Sequence, residues 1–279
     1  MHRSYEEGFF TVLMTGAMAI VVLGIVSVLF TVVINGITAM NLPMITETPH
    51  GGFYLGRSGG ILNAILGSIF LASGAVIIAL AMSIPVVMYL HYPKAPILAH
   101  VSRILLDIAC GIPTIVYGAI VFMIMVLLGG RSSLFWGMLT VSIFIMPIMI
   151  RSMDEILAQV PKKVMIAAFA LGTTRTEMLS IVMRQSLPGL LTAILLAFGR
   201  GIGDAASVLF TAGYSDSLPE SLFEPVATLP LAILFQISSP YPVVQQRAYA
   251  AGLILLIIIL TVSITSRLLS KKFMKYVVK

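Results

Sequence analysis

Charged residues are scarce in this 279-residue chain, since Asp, Glu, Lys and Arg together make up only 10% of it. Hydrophobic residues make up 59%, and the mean hydropathy is +1.06, values that exclude an ordinary soluble domain. We therefore expect a protein that crosses a membrane several times. The net charge of +6 could suggest nucleic acid. Because the basic residues lie in loops between apolar stretches, membrane topology explains them better and no nucleic-acid partner is predicted.

Further absences exclude particular kinds of chemistry. The single cysteine, Cys110, excludes an internal disulfide and leaves the redox compartment open. The four histidines form no grouping of metal ligands, so no metal site is predicted. A Gly-x-x-x-x-Gly-Lys-Ser/Thr loop is also missing, so the chain cannot bind ATP in that way. If ATP drives this protein, a separate subunit must bind it.

Apolar stretches long enough to cross a membrane occur six times, since a spanning helix needs about 20 mostly apolar residues. The candidates are Phe9–Ile34, Ile61–Leu90, Ile104–Leu128, Leu134–Ile150, Leu190–Ala212 and Ala248–Leu269. Three prolines fall inside spans and predict bends there: Pro85, Pro113 and Pro147. The sequence thus predicts an all-α polytopic protein of six transmembrane helices, folded as one membrane domain over residues 1–279 and in contact with membrane lipid.

The distribution of Lys and Arg predicts the orientation in the membrane. Of the 17 basic residues, 13 fall on one side of a six-span protein, three fall on the other side, and Arg200 lies inside a span. Basic loops stay preferentially in the cytoplasm. Both termini and the loop between the fourth and fifth spans are therefore predicted to be cytoplasmic.

That loop, Pro161–Pro188, contains the signals of two short helices with a turn between them. Val164–Leu171 forms a short amphipathic helix that Gly172 is placed to end. Thr174 followed by Glu177 is a capping-box pattern for the second helix. A short apolar-faced helix held outside the membrane suits docking in a groove of another protein, although a hairpin resting on the bilayer surface fits the spacing equally well.

Two long loops are predicted on the other side of the membrane. Asn35–Gly60 is rich in Gly, Thr and Pro, and Gly213–Arg247 contains an apolar segment, Val226–Ile237, that is too short to span. We interpret this segment as an interfacial helix or as a plug at the outer mouth.

The fifth span carries charges and glycines near its middle. Arg200 and Asp204 are four residues apart, which places them on one helical face and within reach of each other. Gly199 and Gly203 have the same spacing and predict a seam where another helix packs closely. A charge inside the membrane costs at least about 2.5–3.5 kcal/mol, so it usually faces a polar cavity or a partner. Arg200 is therefore either a transient partner for a passing anion or half of a structural ion pair.

Three motifs together resemble the permease subunits of phosphate-type ABC importers. Arg200–Ala212 is similar to the family's Arg-x-x-Gly-Glu-Thr-Ala-Pro-x-Leu-x-x-Thr-Ala, with Asp204 in place of Glu. Gly111–Gly118 is similar to Gly-Val/Ile-Pro-Ser-Ile-Val-x-Gly, with Thr114 in place of Ser. The resemblance implies a substrate path containing Arg200, Asp204, Thr114 and Tyr117, although a local backbone bond would account for the last two equally well.

The third motif that fits this family is Glu155–Pro161 together with Ala170–Gly172. The Pro161–Pro188 loop also resembles the signature loop of ABC importer permeases in general. The matching residues are Ala167, Ala168, Leu171, Gly172, Leu187 and Pro188. Ile166 stands where the signature has Glu. The resemblance implies that this loop is the coupling helix that docks on a cytoplasmic ATPase.

The same resemblance implies the fold of type I ABC importer permeases, a place in the inner membrane and a set of partners. These are a sister permease, two cytoplasmic ATPase subunits that bind ATP and magnesium, and an extracytoplasmic phosphate-binding protein. The chain itself would hold no cofactor and would be a transport subunit that moves inorganic phosphate, or a related oxyanion, into the cytoplasm.

Two rival hypotheses belong to other classes. Gly201–Asp204 matches the Gly-x-Gly-Asp of intramembrane aspartyl proteases, with Asp107 as a possible second carboxylate. Such a pair shares a proton, which Arg200 beside Asp204 would oppose. A secondary transporter should show repeated halves, and none is visible.

Overall fold

The computed structural model describes residues 2–55, 58–91 and 95–273. Arg57, Lys94, Lys275 and Lys279, which entered the charge count, lie outside that part of the chain. The helices are α1 (His2–Ala39), α2 (Leu42–Thr46), α3 (Leu62–His91), α4 (Pro96–Gly111), α5 (Thr114–Leu127), α6 (Leu134–Ala158), α7 (Lys162–Ala170), α8 (Arg175–Gln185), α9 (Leu187–Ile202), α10 (Leu229–Ile237) and α11 (Pro242–Phe273). The described residues contain no β-strand, so the all-α prediction is confirmed.

Four single helices are long and apolar enough to cross a membrane: α1, α3, α6 and α11. Two bent helix pairs bring the number of possible crossings to six, with 98° between α4 and α5 and 71° between α8 and α9. The first, second, fourth and sixth predicted spans are therefore confirmed as continuous helices. Pro85 and Pro147 lie inside α3 and α6.

The third predicted span is bent at Pro113, as predicted, because α4 ends at Gly111 and α5 begins at Thr114. Ile112 and Pro113 between them have extended backbones, with ψ of 129° and 137°. Proline has no N–H and disfavours a helical conformation in the residue before it. The local sequence Ile112-Pro113 therefore breaks the span.

The centre of the bundle is α6, which packs against α3, α4, α5 and α9. Its side chains at Val141, Ile145 and Met149 are fully buried. Gly201 allows α9 to come close, since a Cβ there would lie 3.0 Å from Val141 Cγ1. α11 packs against α9 and also against α1, where a Cβ at Gly36 would lie 2.8 Å from the Tyr249 carbonyl oxygen.

The fifth predicted span is wrong in its second half, since α9 ends at Ile202. Residues 203–212 continue as turns toward the N-terminal end of α6, where the Ser133 N–H donates to Thr211 O over 2.9 Å. The apolar segment beyond forms α10, whose Leu229 and Leu231 side chains are fully buried against the bundle. The predicted short helix is thus confirmed, and it is inserted by one face into the end of the bundle.

The loop after α6 folds as predicted into two helices, α7 and α8. Gly172 adopts φ +78° just after α7, a conformation that glycine tolerates without a Cβ penalty. Thr174 caps α8 in a complete capping box with Glu177. We call this part of the bundle the α7–α8 end.

Candidate functional site

Arg200 and Asp204 are separated by the end of α9 and do not share a helical face. Gly203 follows the last residue of the helix, and the Asp204 carboxylate accepts the Ser207 N–H over 2.8 Å. This bond caps the turns that follow, as an aspartate caps the N-terminus of a helix. Among the described residues no ion pair joins Asp204 to Arg200. The prediction of a shared charged stripe was wrong because it assumed a continuous helix.

The Arg200 side chain is exposed near the C-terminal end of α9. Its guanidinium lies 6.0 Å from the centre of the Phe144 ring on α6. The described part of the chain offers it no carboxylate partner in an ion pair. Arg200 borders a groove of about 440 Å³ between α9 and α11, which Ile148 of α6 also lines. An arginine in an apolar bundle thus faces open space.

The two glycines of the predicted seam have different surroundings. Nothing lies within 4 Å of the position of a Cβ at Gly199, and this residue lines the same groove as Arg200. The predicted close packing is therefore wrong for Gly199 within this chain. Gly203 lies beyond the helix end, where a Cβ would meet Ile259 Cδ1 at 3.7 Å, an ordinary contact.

The motif Gly111–Gly118 contacts the motif Arg200–Ala212. A Cβ at Gly118 on α5 would lie 3.0 Å from the Ser207 carbonyl carbon and closer still to its oxygen. Only glycine allows α5 to come this close to the segment that follows Asp204. The Tyr117 hydroxyl donates to Ala109 O over 2.8 Å across the α4–α5 bend, and Thr114 is the first residue of α5. The bond of Tyr117 stabilises that bend, and a contact of either residue with a substrate stays a prediction.

A group of ion pairs lies between α4 and the last turns of α6, at the α7–α8 end. Arg103 donates to Asp154 over 2.9 Å and also to Leu90 O at the end of α3. Arg151 pairs with Asp107 and, over 3.2 Å, with Glu155. Sequence inspection missed the pairs Arg103–Asp154 and Arg151–Asp107 because their partners are more than 40 residues apart along the chain.

These pairs bear on the protease hypothesis. Asp107 would have to share a proton with Asp204, yet its carboxylate pairs with the Arg151 guanidinium and that of Asp204 accepts a backbone N–H. The two carboxylates therefore have different partners and do not contact each other. The geometry therefore offers no proton-sharing pair at these two residues.

The α7–α8 hairpin presents an apolar surface to its surroundings. Leu171 is 85% exposed and Ile166 is 66% exposed, and Ala167 is exposed between them. Ala168 is only 5% exposed and packs against the core. The exposed side chains are available for a partner, whereas Ala168 attaches the hairpin to the bundle.

The other residues predicted for this loop are likewise either exposed or buried. Gly172 and Leu187 are exposed, whereas Pro188 is buried at the start of α9. The pKa of Glu177 lies below its ordinary value because the backbone N–H and the hydroxyl of Thr174 donate to the carboxylate. The capping box therefore keeps its negative charge at the N-terminus of α8, where the helix dipole favours it.

At the opposite end of the bundle, two loops are tied together by a tyrosine. The Tyr54 hydroxyl donates to Asp216 over 2.6 Å and also contacts the Tyr214 hydroxyl at 3.3 Å. The pKa of Tyr54 is raised, first by burial and then by its bond to the Asp216 carboxylate. The link keeps the phenol neutral and joins the loop before α3 to the loop after residue 212.

Comparison with known proteins gives three consistent results. A family model described as "binding-protein-dependent transport system inner membrane component" matches residues 93–275. The phosphate transport system permease protein PstA of Yersinia pestis is 35% identical over 248 residues, 88% of this chain and 83% of that protein. PstA of Haemophilus influenzae is 30% identical over 86% of this chain and 85% of its own length.

The fold also has relatives among solved structures. An inward-facing structure of the MetNI methionine ABC transporter superposes with a TM-score of 0.63 over 76% of this chain and 94% of that chain, at 15% sequence identity. At this identity the likeness concerns the fold alone.

Proposed function

This chain belongs to the inner membrane components of binding-protein-dependent transport systems, and on that premise we propose that it carries inorganic phosphate into the cytoplasm. It is a permease subunit of an ABC importer and not itself an enzyme. Its all-α bundle has the fold of type I importer permeases. The phosphate assignment rests on the names of the PstA relatives together with the chemistry of Arg200.

The observation that carries the proposal is an arginine that faces a groove among membrane-spanning helices and has no carboxylate partner among the described residues. A buried or membrane-embedded charge is expensive, at about 2.5–3.5 kcal/mol or more, unless it has a role or a partner. The planar guanidinium offers two parallel N–H donors that match the oxygens of a phosphate. Arg200 would bind the anion part-way through the membrane.

The Asp204 carboxylate holds the backbone that follows α9. It accepts the Ser207 N–H and so ends α9 and begins the turns of residues 203–212. This break leaves Arg200 in the last turn of a helix. Asp204 would therefore position the segment beside Arg200, and its charge would limit how tightly the site holds an anion.

The α7–α8 hairpin would transmit the movement of the ATPase. Ile166, Ala167 and Leu171 present an apolar surface of the kind that docks in a groove. Ala168 packs against the core, so a push on the hairpin would reach α6 and α9. ATP-driven closure would then rock the bundle between outward and inward access as a rigid body.

The family implies ATPase and binding-protein partners in the inner membrane system. We propose the assembly in detail: a sister permease, two cytoplasmic ATPase subunits that bind ATP and magnesium, and an extracytoplasmic phosphate-binding protein. The chain itself would hold no cofactor. Both termini and the α7–α8 end would face the cytoplasm, as the distribution of Lys and Arg predicts.

Reconstitution of the complete transporter in liposomes tests this function. Labelled phosphate uptake should require ATP on the side of the ATPases and should exceed uptake of labelled sulfate. Arg200→Ala should abolish uptake while the partners still copurify, whereas Lys271→Ala, which removes an exposed charge elsewhere, should behave as the wild type. Equal uptake of sulfate would reject phosphate as the specific substrate, and loss of assembly in Arg200→Ala would favour a structural role for Arg200.

A further inference from the structure

The groove that contains Arg200 has a second arginine at its other end. Ile259 and Arg267 line it from α11 and are eight residues apart, about 12 Å along the helix axis. Ile259 lies opposite Gly203 near the end of α9, and Thr192 near the start of α9 lines the groove as well. The groove thus runs from Arg200 toward the α7–α8 end, where Arg267 lies.

Both arginines are exposed, and the described residues provide neither with an ion pair. Two guanidinium groups bordering one groove give it a positive charge, and its walls include apolar side chains such as Leu195 and Leu196. An anion in the groove would be attracted by both groups and could accept hydrogen bonds from them. The charge pattern therefore fits an anionic ligand.

The walls between the two arginines leave room for such a ligand. Gly199 contributes no side chain, and nothing lies within 4 Å of the position of its missing Cβ. Ser263 and Ser266 contribute hydroxyl groups from the opposite wall, and hydroxyls can donate to phosphate oxygens. The groove volume of about 440 Å³ is large compared with the roughly 30 Å³ that one water occupies in the liquid.

We propose that the groove between α9 and α11 is a binding site for a phosphate group, held by Arg200 at one end and by Arg267 with Ser263 and Ser266 at the other. Two sources have this chemistry: a phosphate ion on its way to the cytoplasm and the headgroup of an anionic lipid. Binding of a phosphate ion in transit would deepen the function proposed above and rests on it, since Arg200 belongs to the proposed transport path and to this groove.

ATP-driven uptake of labelled phosphate by the complete transporter tests the site in two kinds of vesicle, phosphatidylcholine alone and phosphatidylcholine with phosphatidylglycerol. Arg267→Ala should lower kcat/KM by about tenfold or more, the value of one hydrogen-bonded contact to a charged group. Lys271→Ala, one turn farther along α11, removes the same charge outside the groove and should have no effect.

A second pair of variants tests the groove without removing a charge. Ser263→Leu fills it and should also lower uptake. Thr261→Leu places the same side chain on α11 outside the groove lining and should not. Because neither variant changes the net charge, a loss of uptake confined to Ser263→Leu would place the effect in the groove.

The two sources give different patterns. If the ligand is free phosphate, Arg267→Ala reduces uptake in both kinds of vesicle. If it is a lipid headgroup, the reduction appears only with phosphatidylglycerol, and mass spectrometry of the intact complex shows one anionic lipid fewer per permease than in Lys271→Ala.

Wild-type rates for both Arg267→Ala and Ser263→Leu in both kinds of vesicle would overturn the inference. Loss of the sister permease from the purified Arg267→Ala and Arg267→Lys complexes would overturn it too, because Arg267 would then serve the subunit interface. Failure of the proposed function is distinguishable from failure of this inference, since the wild-type transporter would then take up no phosphate at all.

Discussion

Replacing Gly118 by alanine should disturb the contact that joins the two motifs around Arg200. The new Cβ would lie 3.0 Å and 3.1 Å from the Ser207 carbonyl carbon and Cα, and closer to the carbonyl oxygen. Something must therefore move, and the atoms in the way are backbone atoms. Ser207 is fully buried, and its N–H is held by Asp204. Its carbonyl oxygen accepts from Thr211, so the segment cannot shift without losing bonds.

The expected magnitude follows from two opposing effects. Overpacking a core costs about 1–3 kcal/mol, and the hydrogen bonds around Ser207 place this case near the upper end. Alanine inside a helix recovers about 1 kcal/mol relative to glycine. We therefore expect Gly118→Ala to lower the free energy of unfolding by about 2 kcal/mol. Gly111→Ala is the matched control, since nothing lies within 4 Å of a Cβ there, and it should be neutral or slightly stabilising.

Unfolding of the purified protein in mixed micelles by sodium dodecyl sulfate, followed by circular dichroism at 222 nm, measures the two free energies. Phosphate uptake by the reconstituted transporter measures the effect on function, and Gly118→Ala should lose uptake more than Gly111→Ala does. If both variants unfold and transport as the wild type does, α5 is not held against Ser207 in the working protein, and the argument from close approach fails.

The remaining predictions concern the polypeptide around the same site and the hairpin. Asp204→Ala should cost about 0.5–2 kcal/mol in the free energy of unfolding because the cap on the Ser207 N–H is lost. Asp204→Asn retains the acceptor oxygen and should match the wild type. Equal losses of stability in both variants would show that the charge matters more than the cap. Gly172→Ala should cost about 1–2 kcal/mol since its φ is +78°, and faster hydrogen exchange in α7 with weaker ATPase binding would report it. Because the pKa of Glu177 is lowered in the folded protein, its stabilising effect is present above about pH 4.3 and is lost as the pH falls through the lowered value. Amide hydrogen exchange at the start of α8, corrected for the intrinsic rate, should therefore become faster in the wild type as the pH falls through that value. An identical increase in Thr174→Ala would contradict the assignment.

Much of the fold could be predicted because its causes are local. Continuous apolar stretches predicted α1, α3, α6 and α11, since no other structure satisfies backbone hydrogen bonds in lipid so simply. The α7–α8 hairpin could be predicted because its signals are local as well. Thr174 and Glu177 supply the donors and acceptors of the capping box within one turn, and Gly172 tolerates the positive φ that ends α7.

The breaks were harder to predict than the helices. Pro113 predicted a bend, but the 98° angle between α4 and α5 depends on the helices that pack around them. The end of α9 at Ile202 had no proline to mark it, and the apolar residues on both sides of Arg200 and Asp204 favoured a continuous helix. The Asp204 carboxylate bonds to a backbone group that a continuous helix would have satisfied, and so it favours the turns.

The sequence by itself determined that this chain is an all-α membrane permease, because hydropathy, capping and the order of motifs are properties of consecutive residues. Only the tertiary structure decided which charges meet. Arg103 pairs with Asp154 and Arg151 with Asp107, while Arg200 shares with Arg267 a groove whose described lining residues include no carboxylate. Those partners come from different helices, and their distances are set by how the helices cross, which no spacing along one helix contains.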